Sequence, residues 1–135
     1  MNSVWIVDDD ASIRWVLEKA LIRENISCEL FSAVDDVLAA LEKNQPNVLV
    51  SDIRMPGDSG LVLLEQIKLQ YPHVPVIIMT AFSDLDSAVS SFQKGAFDYL
   101  PKPFDIESAV DLISSVMGDN GKPDGKESFK SAKMG

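Results

Sequence analysis

Apolar positions along this chain alternate between two periods. "SVWIV" (3–7) is a short strand-like run, and Ile13, Val16, Leu17 and Ala20 follow it at i, i+3, i+4 and i+7, the stripe of an amphipathic helix. The alternation recurs. "ISCELF" predicts a second strand and Val34, Val37, Leu38 and Leu41 a second helix, while "NVLVS" is apolar enough to be a strand buried on both faces. Leu64, Ile67 and Tyr71 mark a third helix, "VPVIIMT" a fourth strand, Leu85, Ala88, Val89 and Phe92 a fourth helix, and "FDYL" a fifth strand. Ile106, Ala109, Val110, Ile113 and Met117 stripe the last helix. Regular strand–helix alternation with short connections implies right-handed crossovers and a parallel sheet. The expected fold is therefore α/β: a single doubly wound five-stranded parallel sheet with helices on both faces, in the flavodoxin-like order 2-1-3-4-5 if strands one and three are neighbours.

The pattern stops near Gly118. Residues 1–117 are expected to form the domain, and the polar Gly-, Lys- and Ser-rich stretch 118–135 a linker or disordered tail. No sequence repeat links the five units. At 135 residues and 46% hydrophobic content the chain is long enough for one well-packed core. A net charge of -9 argues against a phosphate-backbone binder, so no direct contact with nucleic acid is expected. One cysteine, Cys28, and one histidine, His73, exclude an internal disulfide and a zinc cluster and fit a reducing cytoplasm. Cys28 is read as a core residue and His73 as a loop residue. No apolar run approaches the roughly 20 residues of a membrane helix, and none follows a basic leader, so neither a targeting segment nor a membrane contact is expected.

In a doubly wound sheet the loops at the carboxyl ends of the strands surround the ligand crevice. The first strand delivers Asp8, Asp9 and Asp10 to that edge, the third Asp52, the fourth Thr80, and the fifth leads through "YLPKPF" to Lys102. Three adjacent carboxylates repel one another unless a cation offsets them. Two of the first acids with Asp52 carry about -3, and a Mg²⁺ with the Lys102 ammonium about +3. Carboxylate oxygens suit that hard ion, and phosphoryl chemistry is its natural use: Asp52 as nucleophile, Lys102 and the Thr80 hydroxyl on the phosphoryl oxygens. Plainer readings stand beside these. Asp10 suits the N-cap of the next helix, Thr80 alone a turn, Lys102 alone a solvated charge, and Trp15, off its helix's apolar stripe, a partly exposed aromatic or a contact surface.

The combination resembles the receiver (response-regulator) domain of two-component signalling over about residues 3–117. "SIRWVLEKAL", "SDIRMPG", "PVIIMTA", "SDLDSAV" and "GAFDYLPKPFD" narrow the likeness to receivers of nitrogen regulators. The resemblance implies Asp52 as phosphoacceptor, Asp8 and Asp9 as the acidic pair, Lys102 as the phosphate-binding lysine, and Thr80 with Tyr99 as the switch pair. It implies Mg²⁺ held by Asp9, Asp52 and the Arg54 backbone carbonyl directly and by Asp8 through water, and a cis Lys102–Pro103 bond. Ser59 replaces the aspartate usual there and, as an equally good N-cap, is expected to change little. Phe82 stands where nitrogen-regulator receivers often carry histidine, which bears on dephosphorylation rate. The implied partners are a sensor histidine kinase as donor, the chain's own downstream ATPase domain as output, and a second receiver on phosphorylation. A DNA-binding domain follows in such regulators, so the chain is expected to be an excised domain of a regulator of nitrogen-controlled transcription. It is expected to be no enzyme beyond self-catalysed phosphotransfer and slow autodephosphorylation.

Helix four, weakly packed by its composition, is expected to rearrange with strand five on phosphorylation. Two other functions compete. A haloacid-dehalogenase-like phosphatase also uses a nucleophilic aspartate, Mg²⁺, a Ser/Thr and a lysine, but needs a further acidic motif that this sequence lacks. A phosphorylation-independent interaction module would have no use for the full set Asp8, Asp9, Asp52, Thr80 and Lys102. A nucleotide-binding Rossmann domain is weaker still, because the first strand–helix turn has no glycine.

Overall fold

The structure, a computed structural model, describes residues 3–53, 60–81 and 93–121. Five strands, β1 (Ser3–Val7), β2 (Ser27–Phe31), β3 (Val48–Asp52), β4 (Val76–Ala81) and β5 (Asp98–Lys102), form one sheet in the order β2-β1-β3-β4-β5. Every pairing is parallel, so all five carboxyl ends lie along one edge. The helices α1 (Ala11–Arg23), α2 (Val34–Leu41), α3 (Gly60–Gln70) and α4 (Ile106–Gly121) cover both faces. The helix predicted over Leu85–Phe92 lies outside the described residues.

The period-2 pleat divides each central strand between two apolar layers. Val4 and Ile6 of β1, Val48 and Val50 of β3, and Ile77 and Met79 of β4 pack with Leu17 and Leu21 of α1 and Ala109 and Ile113 of α4. Trp5, Val7, Leu49, Val76 and Ile78 turn the other way, against Val37 and Leu41 of α2 and Leu63 and Ile67 of α3. β1, β3 and β4 are thus buried on both faces, which is why they read as continuous apolar runs rather than alternating ones.

The edge strand β2 behaves differently. It is only partly covered, and Cys28 is half-buried against the first layer instead of lying within the core as expected from its apolar neighbours. Its thiol is pushed above its ordinary value, first by burial and then by the nearby Glu18 carboxylate. Two helix ends also shift from the pattern. Tyr71 falls just past α3, tied back by its N–H to the Ile67 carbonyl at 2.6 Å. The backbone of α4 continues to Gly121, four residues beyond the last apolar position, Met117.

The chain leaves β1 for β2 on one side and crosses back to β3 on the other. The crevice at that reversal, between the tips of β1 and β3, is where an open α/β sheet admits a ligand.

Candidate functional site

Asp8, Asp9 and Asp10 are the whole connection between β1 and α1. Asp10 is the N-cap, its carboxylate accepting the Ser12 N–H at 2.8 Å, so one acid of the three serves the helix. The other two face the crevice: Asp8, Asp9 and Asp52 each present a carboxylate oxygen within 4.8 Å of the other two. Asp8 is fully buried, Asp52 nearly so at 8% exposure, and Asp9 is exposed.

Each acceptor of Asp8 is engaged by the protein. Oδ1 accepts the Asp10 N–H at 2.9 Å, Oδ2 accepts from Lys102 Nζ at 2.9 Å, and the backbone carbonyl accepts from Arg14 Nη1 at 2.6 Å. Lys102 Nζ also stands 3.4 Å from Asp52 Oδ1, so one ammonium bridges acids from β1 and β3. Burial drags that ammonium's pKa down, but the Asp8 hydrogen bond, the Asp8 charge and the Asp52 charge outweigh it. The net result lies above the ordinary lysine value.

Oxygen donors of this kind suit a hard divalent cation. The carboxylate oxygens of Asp8, Asp9 and Asp52, all within 4.8 Å of one another, could hold such an ion; of the three, Asp8 already accepts from an ammonium and an amide.

Thr80, the penultimate residue of β4 and next to Met79, the register partner of Asp52, is fully buried, and its hydroxyl finds no hydrogen-bond partner among the described residues. Tyr99, half-buried on β5, pairs in register with Ile78, two positions before Thr80. Partners in register and residues two apart share a face, so Tyr99 and Thr80 start from the same side of the sheet. The Lys102–Pro103 peptide is cis. Arg54, Ser59 and Phe82 lie outside the described residues.

Sequence reading passed over two supporting residues. Ser51, fully buried, donates its hydroxyl to the Asp52 carbonyl at 3.0 Å; a serine in an otherwise apolar strand, just before an acid, was the available signal. Arg14 lies in the first turn of α1, which contains no acid, where the helix dipole disfavours a cation. A basic residue there signals a partner outside the helix.

Comparison with known proteins gives a consistent picture. The family model described as the response regulator receiver domain matches residues 4–114. The DNA-binding transcriptional regulator NtrC of Salmonella typhimurium is 64% identical over 114 residues, covering 84% of this chain and 24% of the relative. That of Proteus hauseri is 63% identical over 116 residues, 86% of this chain and 24% of the relative. The chain thus spans about a quarter of the length of these curated relatives. Among solved structures, the apo receiver domain of nitrogen regulatory protein C superposes with a TM-score of 0.82 at 58% identity, covering 90% of this chain and 98% of that one. Its BeF3-activated form gives 0.77 at 57% identity, covering 90% and 100%.

Proposed function

Because the chain belongs to the response regulator receiver domain family, we propose that it is a phosphorylation-activated switch of nitrogen-regulated transcription, with Asp52 taking a phosphoryl group from a sensor histidine kinase. The observation that carries this reading is the convergence of Asp8, Asp9 and Asp52 within 4.8 Å under a lysine that contacts two of them.

An Asp52 carboxylate oxygen attacks phosphorus in line with the donor's leaving atom; the new O–P bond forms as the bond to the donor breaks, leaving an aspartyl phosphate. Asp9 and Asp52, with the Arg54 carbonyl and with Asp8 through water, would hold a Mg²⁺, which supplies positive charge to the phosphoryl oxygens. Lys102 begins the step ion-paired to Asp52 and, still cationic, donates to a phosphoryl oxygen. The Thr80 hydroxyl, which has no partner among the described residues, donates to another. Its inward movement opens space that the Tyr99 ring fills.

The added charge and acceptor oxygens favour whichever conformation presents Thr80 and Lys102 to them, so the equilibrium shifts by the difference in that interaction. A relative with an apo and a BeF3-activated form supports a two-state reading. The elements that switch are the fourth helix expected from the sequence and β5, and their readers are the downstream ATPase domain and a second receiver. Residues 1–117 are the working domain, and 118–135, whose first four residues extend the α4 backbone, a polar linker or disordered tail.

Intact mass after incubation with acetyl phosphate and Mg²⁺ tests the proposal. One added phosphoryl group, labile to hydroxylamine and absent both without Mg²⁺ and in Asp52→Asn, is the expected result. No adduct, with steady release of inorganic phosphate from phosphomonoesters, would favour the phosphatase instead. Neither adduct nor turnover would leave an interaction module.

A further inference from the structure

We propose that Arg14 is a positioning residue of the acidic pocket: by holding the Asp8 carbonyl, its guanidinium sets where Asp9 meets a divalent cation. The inference rests on the reading of Asp9 as a direct metal ligand.

Asp9 is the least supported acid of the cluster. It is exposed, and no described residue hydrogen-bonds its carboxylate. Its position therefore follows from the backbone on either side. On the C-terminal side, Asp10 is fixed three times, by its N–H to Asp8 Oδ1, by its cap on Ser12 and by its carbonyl, which accepts the Arg14 backbone N–H. On the N-terminal side the connection is the peptide plane between Asp8 and Asp9. Because that plane is rigid, the Asp8 carbonyl oxygen and the Asp9 N–H move together, and fixing the oxygen fixes the direction in which the chain enters Asp9. Arg14 Nη1 is the donor on that oxygen, at 2.6 Å, a charge-assisted bond in a half-buried setting.

The cost of keeping a cation there is visible. Arg14 opposes the dipole of α1, and among the described residues it pairs with no carboxylate. The loop gains from it, because its three residues place two metal-facing acids and one cap, and, besides the bonds made at Asp10, the bond from Arg14 to the Asp8 carbonyl ties the loop to α1.

Charge and positioning pull in opposite directions, and this separates them experimentally. Removing a positive charge beside a cation site strengthens cation binding; releasing the loop weakens it. Removing groups that orient metal ligands typically costs about 10–100-fold in affinity. The experiment is calorimetric titration of the full chain with MgCl₂ at fixed ionic strength, for wild type, Arg14→Met and Arg14→Lys, at a temperature where urea unfolding shows each to be fully folded. Arg14→Met is expected to bind Mg²⁺ about tenfold more weakly, and Arg14→Lys, which keeps the charge and a donor, to recover most of the loss. Labelling of Asp52 by acetyl phosphate should then require more Mg²⁺ in Arg14→Met yet reach the wild-type maximal rate. Unchanged or tighter Mg²⁺ binding by Arg14→Met, with wild type binding normally, overturns the inference alone. A wild type that binds no Mg²⁺ overturns the proposed function and this inference with it. Arg14→Gln, neutral and too short to reach the carbonyl, replaces the methionine variant if that fails to fold, with the same expectation.

Discussion

Lys102 and Thr80 respond oppositely to the same pocket. Lys102 is held in its charged form by Asp8 and Asp52, so its folded pKa stands above its unfolded value, near 10.5. A raised pKa means that the stability from this pairing is fully present below the unfolded value and is lost as pH climbs through the folded one. Urea unfolding from pH 7 to 11 should show a constant difference between wild type and Lys102→Met up to about pH 10, shrinking above it. A difference that shrinks below pH 9 would mean that the ammonium is not held in this way. Thr80 is the converse case, a buried hydroxyl without a partner among the described residues, and such a group costs about 1–3 kcal/mol. Thr80→Val should therefore raise the stability of the unphosphorylated domain by about 1 kcal/mol. In the same variant, the amide shifts that phosphorylation causes across β5 should shrink, while Thr80→Ser should keep them. A loss of stability in Thr80→Val would show that the hydroxyl is satisfied before any phosphoryl group arrives.

Elements decide how accurately Asp52 is presented. α3 begins at Gly60, whose N–H bonds the Ile53 carbonyl at 3.0 Å, and a Cβ at this position would run into the Asp52 carbonyl and, at 2.9 Å, the Ile53 Cα. Backbone atoms cannot move aside as a flexible side chain can. Gly60→Ala should cost about 1–3 kcal/mol by overpacking, and because the displaced atoms belong to Asp52 it should slow phosphorylation as well; chemical denaturation and acetyl phosphate labelling measure the two effects. A folded Gly60→Ala with wild-type labelling would show that the tip of β3 has slack.

This level of structure was also the most legible in the sequence. Strands buried on both faces write continuous apolar runs and helices write stripes, so the units around Val4–Val7, Val48–Ser51 and Val76–Thr80 could be read directly. Once strands and helices alternate, polar residues at strand ends converge on one edge, which made Asp8, Asp52, Thr80 and Lys102 readable as neighbours. The order of the strands needed the family resemblance, since periodicity says nothing about which strand lies beside which. What escaped were contacts made across the chain's path. Cys28 looked like core because neighbouring residues cannot show that β2 is an edge, and the bond from Arg14 to the Asp8 carbonyl depends on a loop whose course no local pattern describes.

At the scale of the whole molecule, the -9 net charge already disfavours compactness, and the pocket concentrates part of that charge. Oxygens within 4.8 Å of one another sit well inside the Debye length of about 10 Å at 0.1 M salt, so monovalent ions screen the surface and leave the cluster's repulsion largely intact. A divalent ion bound at the three acids acts there directly, and any ligand that binds only the folded state stabilises it by mass action. At ten times its Kd, Mg²⁺ should add about 1.4 kcal/mol, which for a domain of this length raises Tm by about 4–6 °C. Sodium chloride at matched ionic strength should give much less. Asp52→Asn and Asp9→Asn should start from a higher Tm than wild type, having relieved the repulsion, and lose most of the response to Mg²⁺. Thermal unfolding of the three proteins in the two salts checks this. Equal rises with NaCl and MgCl₂ would mean that the acids are an ordinary solvated cluster, because general screening would then account for the whole effect. A wild-type rise with MgCl₂ that either asparagine variant lacks assigns the binding to the crevice between β1 and β3, where a phosphoryl group on Asp52 would meet it.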